Sequence, residues 1–317
     1  MAAPRTHRLG FAVKVLGAGG LPSNDARRWR SGPHLSVSLD HLEAILGYCA
    51  EQQIAMYRVS SSLVPYATHP DLPQFHGQVA ECGDRLAEIG ARIRELDIRI
   101  SAHPSQYVVL NSTEERVREA AIRDLELHAE LFDALGLGPE SVVVLHVGGA
   151  AGGVDGFLAG LERLSDRARA RLVVENDDRT YGLRAVLDVA ERGGVPVVWD
   201  ILHHHCVDPD RIPDREALAL ALATWPEGVV PKVHYSSPST AVTVNGKKVT
   251  LPQLRAHADL IDPLGFERFI RDTAAGLEFD VMLEAKAKDL ALLRLRDQLA
   301  ARGIASRAGR LVVDDEA

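Results

Sequence analysis

Eight short stretches rich in β-branched residues, helical patterns between most of them, and a length of 317 residues predict an α/β chain folded as a (β/α)8 barrel of the TIM type. Such a barrel needs about 250 residues. The chain is therefore expected to be one domain over 1–317, with its core at about 8–296 and a polar tail at 304–317. The runner-up is an open doubly wound sheet. No G-x-G-x-x-G follows the first strand, so the glycine turn that such sheets use for dinucleotides is missing. No nucleotide cofactor is expected.

The elements follow in order. RLGFAVKV (8–15) opens with an apolar run and is the first strand. Residues 38–50 place Leu39, Leu42, Ile45, Leu46 and Cys49 on one helical face. IAMYRVS (54–60) and DIRISAH (97–103) are the second and third strands. A helix is expected over 112–136, opened by a capping box of Ser112 and Glu115, striped by Leu125, Phe132 and Leu135, and ended by Gly136. SVVVLHV (141–147), ARLVVEN (170–176), VPVVWDI (195–201), PKVHYSS (231–237) and FDVMLEA (279–285) complete the set.

Composition narrows the function classes. The chain is 46% hydrophobic and 25% charged, ordinary for a globular protein. Cys49, Cys82 and Cys206 are widely spaced, which argues against a disulfide framework and for a reducing, cytoplasmic setting. MAAPRTHRLG lacks the apolar core of a signal peptide, and no apolar run approaches the roughly 20 residues of a membrane span. No membrane partner is expected. The formal charge of −8 alone disfavours nucleic acid. Two or three bound divalent ions would add about +4 to +6 where a phosphate would sit, so the acidic balance does not decide the matter.

The chemistry gathers at the strand ends. The third strand ends at His103, the fourth carries His146, the fifth Glu175, and the sixth Asp200 with His203. The seventh carries Lys232 and His234, and the eighth Glu284. Loops add His69, His257 and Asp259. In a barrel these ends converge on the C-terminal face. Taken singly, each has a structural reading. A lone histidine is usually a satisfied one, and Glu175 and Glu284 could each have an arginine partner. His128, inside a helix, and Arg27, Arg28 and Arg30, in a loop, are read that way. Jointly, imidazole or carboxylate at the same end of most strands points to a metal centre there. Histidine and carboxylate without cysteine suit Mn²⁺, Zn²⁺ or Fe²⁺. The ligands outnumber the needs of one ion, so two or three are expected, bridged by a carboxylate. Ions about 3.5–4 Å apart favour in-line displacement at phosphorus. The spacing Asp200-x-x-His203 lets one strand end feed two ions, leaving His204 and His205 as spares or outer groups.

Lys232 stands two residues before His234, so both should face the same side of the strand. An ammonium beside divalent ions is disfavoured. Neighbouring carboxylates could neutralise it, its pKa could fall until it is neutral, or it could carry a carbamate formed with carbon dioxide. Its plainest role is a charge partner for a phosphate. A metal-dependent sugar isomerase or epimerase is the second reading, since such barrels also combine Glu, Asp, His and Lys at strand ends.

RVSSSLVPYATHP, AHPSQYVVLNS, LHVGG, VVENDD, WDILHHH, PKVHYSSP, HAD and DVMLEAKAKDLALL, in that order, resemble the UV damage endonucleases over about residues 8–296. The resemblance implies a TIM barrel that nicks damaged double-stranded DNA immediately 5′ to pyrimidine dimers and related lesions, leaving a 3′-hydroxyl and a 5′-phosphate. It implies alternative excision repair; the chain is expected to act as a monomer in the cytoplasm, associated with the nucleoid in use. It implies a first ion on His103, His146 and Glu175, a second on Glu175, Asp200, His234 and Glu284, and a third on His203 and His257, helped by Asp259. Mn²⁺ is the expected metal, with Zn²⁺ and Mg²⁺ as alternatives. Lys232, Glu175 and His69 form the implied catalytic set. Gln106 and Tyr107 match the pair that probes the lesion, and Ser236 joins them against DNA. A poorly stacked dimer costs less to wedge open than intact DNA, which gives that pair a physical rationale. The chain departs from the family pattern at Phe11, Val15 and Ala151 to Val154.

Overall fold

The computed structural model describes residues 4–313. All eight expected strands form: β1 (Arg5–Ala12), β2 (Met56–Arg58), β3 (Arg99–Ser101), β4 (Val143–His146), β5 (Leu172–Glu175), β6 (Val197–Val198), β7 (Lys232–Tyr235) and β8 (Asp280–Leu283). Neighbours pair in parallel, β1 with β2, β2 with β3, β4 with β5, β5 with β6, β7 with β8, and β8 with β1. Parallel bridges Ala102↔Val143 and Asp200↔His234 join the remaining neighbours. The order therefore runs once round and returns to β1. Most strand residues are buried without alternation, because helices cover one side and packed side chains fill the other.

The helix Leu35–Glu51 buries Leu39, Leu42, Ile45, Leu46 and Cys49, the face read from their spacing. The helix expected over 112–136 begins later than the sequence predicts, at Glu115. The Ser112 hydroxyl accepts from the Glu114 amide, inside a turn that precedes the helix, and no side chain caps the first turn. The expected capping box is thus replaced by a local serine turn. Its C-terminus is as expected: Gly136 has φ 61, and the Leu137 amide reaches the Phe132 carbonyl.

The expected polar tail is corrected as well. Ser306–Arg307 and Arg310–Val313 form a hairpin that turns at Gly309 and pairs antiparallel with β1, Arg5↔Val313 to Arg8↔Arg310. Ile304, Leu311 and Val313 are buried. Leu311 and Val313 alternate with Arg310 and Val312, which suffices to seat one face on the core. The acidic stretch at 314–317 lies outside the described residues.

The barrel's lower end holds an ion-pair group. Asp280 takes Arg99 Nη1 at 2.9 Å and Arg8 Nη1 at 3.2 Å. Arg99 also donates to the carbonyls of Glu140 and Val230 and lies over the Trp225 ring. Among the described residues, no helix is long and apolar enough to cross a membrane.

Candidate metal centre

The upper end gathers the predicted ligands. Glu175, the last residue of β5, is fully buried. Its Oε2 accepts from His103 Nε2 at 3.0 Å and lies 3.2 Å from His146 Nε2. Its Oε1 accepts from His234 Nδ1 at 2.7 Å. Two groups of convergent donors result. His103, His146 and Glu175 form one, and Glu175, Asp200, His234 and Glu284 form the other. In each, one ligand atom per residue lies within 4.8 Å of all the others. The two groups share Glu175, as the bridging reading requires.

Asp200 has two jobs. It caps the helix Ile201–Cys206, its Oδ1 accepting from the His203 amide at 2.8 Å. Its Oδ2 is buried with no hydrogen-bond partner among the described residues. Burial, together with Glu175 and Glu284 and against the pull of His203, pushes the Asp200 carboxyl up to about 6. A buried acceptor with nothing to accept, in a pocket of three carboxylates, is what a bound cation would satisfy. The donor set fits divalent ions.

The electrostatics agree. Burial opposes the charge on Glu175, yet His234, His146 and His103 converge on it and hold its carboxyl well below the usual range. Glu284 is held low, against burial, by Arg58 and His234. Burial, helped by Arg58 and against the pull of Glu175 and Glu284, lowers His234 to about 3, which favours the neutral ring that can ligate. Lys232 is fully buried and its Nζ finds no hydrogen-bond partner among the described residues. Burial, helped by Arg58 and Arg99, holds it well below the ordinary lysine range.

His203 and His257 stand beside these groups and belong to neither. Their ring centroids are 5.9 Å apart. Each turns Nδ1 onto a backbone carbonyl: His203 onto Asn176 at 2.9 Å, His257 onto Glu284 at 2.7 Å. That is how metal-ligating histidines are usually oriented, with Nε2 toward the ion. Asp259 is exposed and in neither group. His69 is exposed in the loop after β2, where its Nδ1 accepts from the Asp71 amide.

His204 and His205 have structural partners. Buried His204 donates to the Ile212 carbonyl at 2.8 Å, and His205 meets Asp214 at 2.9 Å. His128 donates to the Asp124 carbonyl one turn back. Gln106 and Tyr107 follow His103 in an exposed loop, with Tyr107 78% exposed. A cavity of about 430 Å³ lies beside them, lined by His103, Gln106, His146 and Arg179 among others. Ser236 is buried with an unpartnered hydroxyl, at the edge of a second cavity of about 650 Å³. Phe11 and Val15 are buried, Phe11 against Tyr57, so neither departure from the family pattern presents a side chain to solvent.

Two residues escaped the sequence reading. His69 is in neither ligand group, and the end of β2 itself brings Arg58 to the centre. Arg58 Nη2 lies 2.6 Å from Glu284 Oε1 and donates to His234 Nε2 at 2.8 Å. Its place at a strand end was the available signal. Asn176, next to Glu175, brackets Asp200: its Nδ2 donates to the Asp200 carbonyl, and its Oδ1 accepts from the Asp200 amide.

The description "UV-endonuclease UvdE" belongs to the family model that matches residues 35–313. A "UV DNA damage endonuclease" of Bacillus velezensis is 36% identical over 304 residues, covering 90% of this chain and 88% of that protein. One from Bacillus cereus is 34% identical over 283 residues, covering 87% and 85%. The crystal structure of SacUVDE superposes with a TM-score of 0.79 at 31% identity, covering 94% of this chain and 99% of that one. D-Psicose 3-epimerase from Clostridium cellulolyticum matches at TM-score 0.55 and 11% identity, which is a likeness of fold alone.

Proposed function

The chain belongs to the UV-endonuclease UvdE family, and from that premise we propose that it nicks damaged duplex DNA immediately 5′ to pyrimidine dimers and related lesions. The products are a 3′-hydroxyl and a 5′-phosphate. The observation that carries the reading is the pair of ligand groups joined through Glu175 at the C-terminal ends of the strands. His103, His146 and Glu175 hold one divalent ion, and Glu175, Asp200, His234 and Glu284 hold another. His203 and His257 suit a third. Mn²⁺ is the expected ion. Bound there, such ions polarise a phosphodiester and make water a competent nucleophile at neutral pH.

The chain's own residues do the rest. Glu175 keeps its charge in a dry site because three imidazoles point at it. Arg58 fixes His234 as the neutral tautomer that protonates Nδ1 when no ion is bound, and it anchors Glu284. Asn176 holds the Asp200 backbone so that Oδ2 stays turned inward. Gln106 and Tyr107 enter a weakened base step; their exposure in the loop after His103 supports this role. The test is to incubate pure protein and Mn²⁺ with a duplex carrying one cyclobutane dimer and to map the cut. A single nick directly 5′ to the dimer is expected. A cut elsewhere, or equal cutting of undamaged duplex, would sink the reading.

A further inference from the structure

The loop after β7 carries a feature that the metal centre does not use. Thr243–Asn245 and Lys248–Thr250 form an antiparallel hairpin, with Gly246 at φ 61 in its turn. Val244 pairs across with Val249, and Asn245 with Lys248. Alternation puts Val242, Val244, Val249 and Leu251 on one face and Thr243, Asn245, Lys248 and Thr250 on the other. The hairpin is therefore amphipathic. Yet its apolar face meets no core: those four residues are 51–71% exposed. An isolated hairpin of this size is marginal in water, and an exposed apolar ribbon usually marks a surface that something covers.

Its charge and its root indicate what covers it. From Ser236 to Ala258 the chain has no Asp or Glu, but it has Lys247, Lys248 and Arg255. This occurs in a protein whose 44 acidic residues outnumber its 36 Lys and Arg. An acid-free basic segment suits a polyanion. The root of the loop is pinned to the metal centre. Pro238 bridges His257, the Ala258 amide reaches the Ser237 carbonyl, and His257 reaches the Glu284 carbonyl. The loop that carries the hairpin therefore begins and ends beside the centre that would hold the scissile phosphodiester. A protein partner fits less well, because the cores of protein interfaces are depleted of lysine.

We propose that the hairpin Thr243–Thr250 is a second, lesion-independent DNA contact, with Lys247 and Lys248 on backbone phosphates and the valine face against the sugar edges of the groove. The inference rests on the endonuclease reading. Backbone contacts position an enzyme without reading sequence or damage. The hairpin would hold the duplex while Gln106 and Tyr107 inspect it.

The experiment measures binding to dimer-bearing and undamaged duplexes across salt, with a catalytically silent metal, for wild type and two double variants. Lys247→Ala with Lys248→Ala should weaken both duplexes by the same factor, on the order of tenfold, and lower the salt slope by about 2. Val244→Ser with Val249→Ser should weaken both equally and leave the slope unchanged. Single-turnover cleavage at saturating DNA should match wild type in both. Variants that cut the dimer duplex, with wild-type affinity and slope, overturn the inference alone. So does a wild-type dimer that the valine variant dissolves without any loss of DNA affinity. A wild-type chain that neither binds nor cuts the dimer duplex overturns the endonuclease reading and this inference with it.

Discussion

The two ends of the barrel bury charge in opposite ways. At the lower end two guanidiniums, Arg8 and Arg99, meet two carboxylates, Asp280 and Asp97. At the upper end three carboxylates, Glu175, Asp200 and Glu284, face one guanidinium, Arg58, and the Asp200 Oδ2 is left with no donor. Asp280 and Arg99 are buried, as are Glu175 and Asp200. A buried ion group that balances itself serves the fold. One that carries surplus acceptors is unstable alone and is completed by something outside the chain. The difference separates structural charge from functional charge without reference to conservation.

The largest expected effect tests the lower end. Asp280→Asn leaves the buried Arg99 guanidinium without its carboxylate, while Arg8 keeps Asp97, and losing one partner of a buried pair costs about 3–5 kcal/mol. Urea unfolding should show that loss, while cleavage per folded molecule stays near wild type. A variant of normal stability and no activity would break the comparison. The next tests the upper end. Glu175→Gln keeps the shape and removes the shared charge. Cleavage should fall by on the order of 10²–10³-fold, the scale of losing one preorganised electrostatic group, and the metal content of the purified protein should fall with it. Normal metal stoichiometry in that variant would end the bridging role.

Much of this was legible in the sequence, and the failures have causes. The eight strands were readable because buried parallel strands are continuous apolar runs. The ligand set was readable because barrel topology turns strand ends into neighbours: His103, His146, Glu175, Asp200, His234 and Glu284 are far apart in sequence and meet in two groups. Arg58 was missed because its partners, Glu284 and His234, are fixed only by the closure of the sheet. The terminal hairpin was missed because an acidic ending hid the Leu311 and Val313 alternation. The capping box failed because Ser112 is satisfied by a local turn, a competing use of the same hydroxyl.

A smaller effect is expected outside both buried groups. Gln106→Ala with Tyr107→Ala removes exposed side chains and should leave metal content and stability unchanged. The preference for damaged over intact duplex should drop by roughly tenfold, within the few kcal/mol that unstacking a base step costs. An abasic substrate, whose unstacking is already done, should suffer less. Equal losses on both substrates would remove the pair from damage reading.

The smallest effect concerns Lys232, which lies between the two ends. It is paired in register with Asp280 below and shares its field with Arg58, Glu175 and Glu284 above. Burial holds the folded-state pKa well below that of the unfolded chain. Between those two values the unfolded state binds one more proton than the folded state, so stability must rise with pH there, by about 1.4 kcal/mol per unit. Lys232→Met keeps the volume, should cost less than about 1.5 kcal/mol in packing, and should abolish that slope. The measurement is urea unfolding of metal-free protein between neutral and alkaline pH. The same neutral amine is the form that combines with carbon dioxide. If a carbamate forms, bicarbonate should raise the activity of the wild type and leave the methionine variant, already impaired, unmoved. A variant with full activity, and a wild type indifferent to bicarbonate, would assign Lys232 to the lower, structural end.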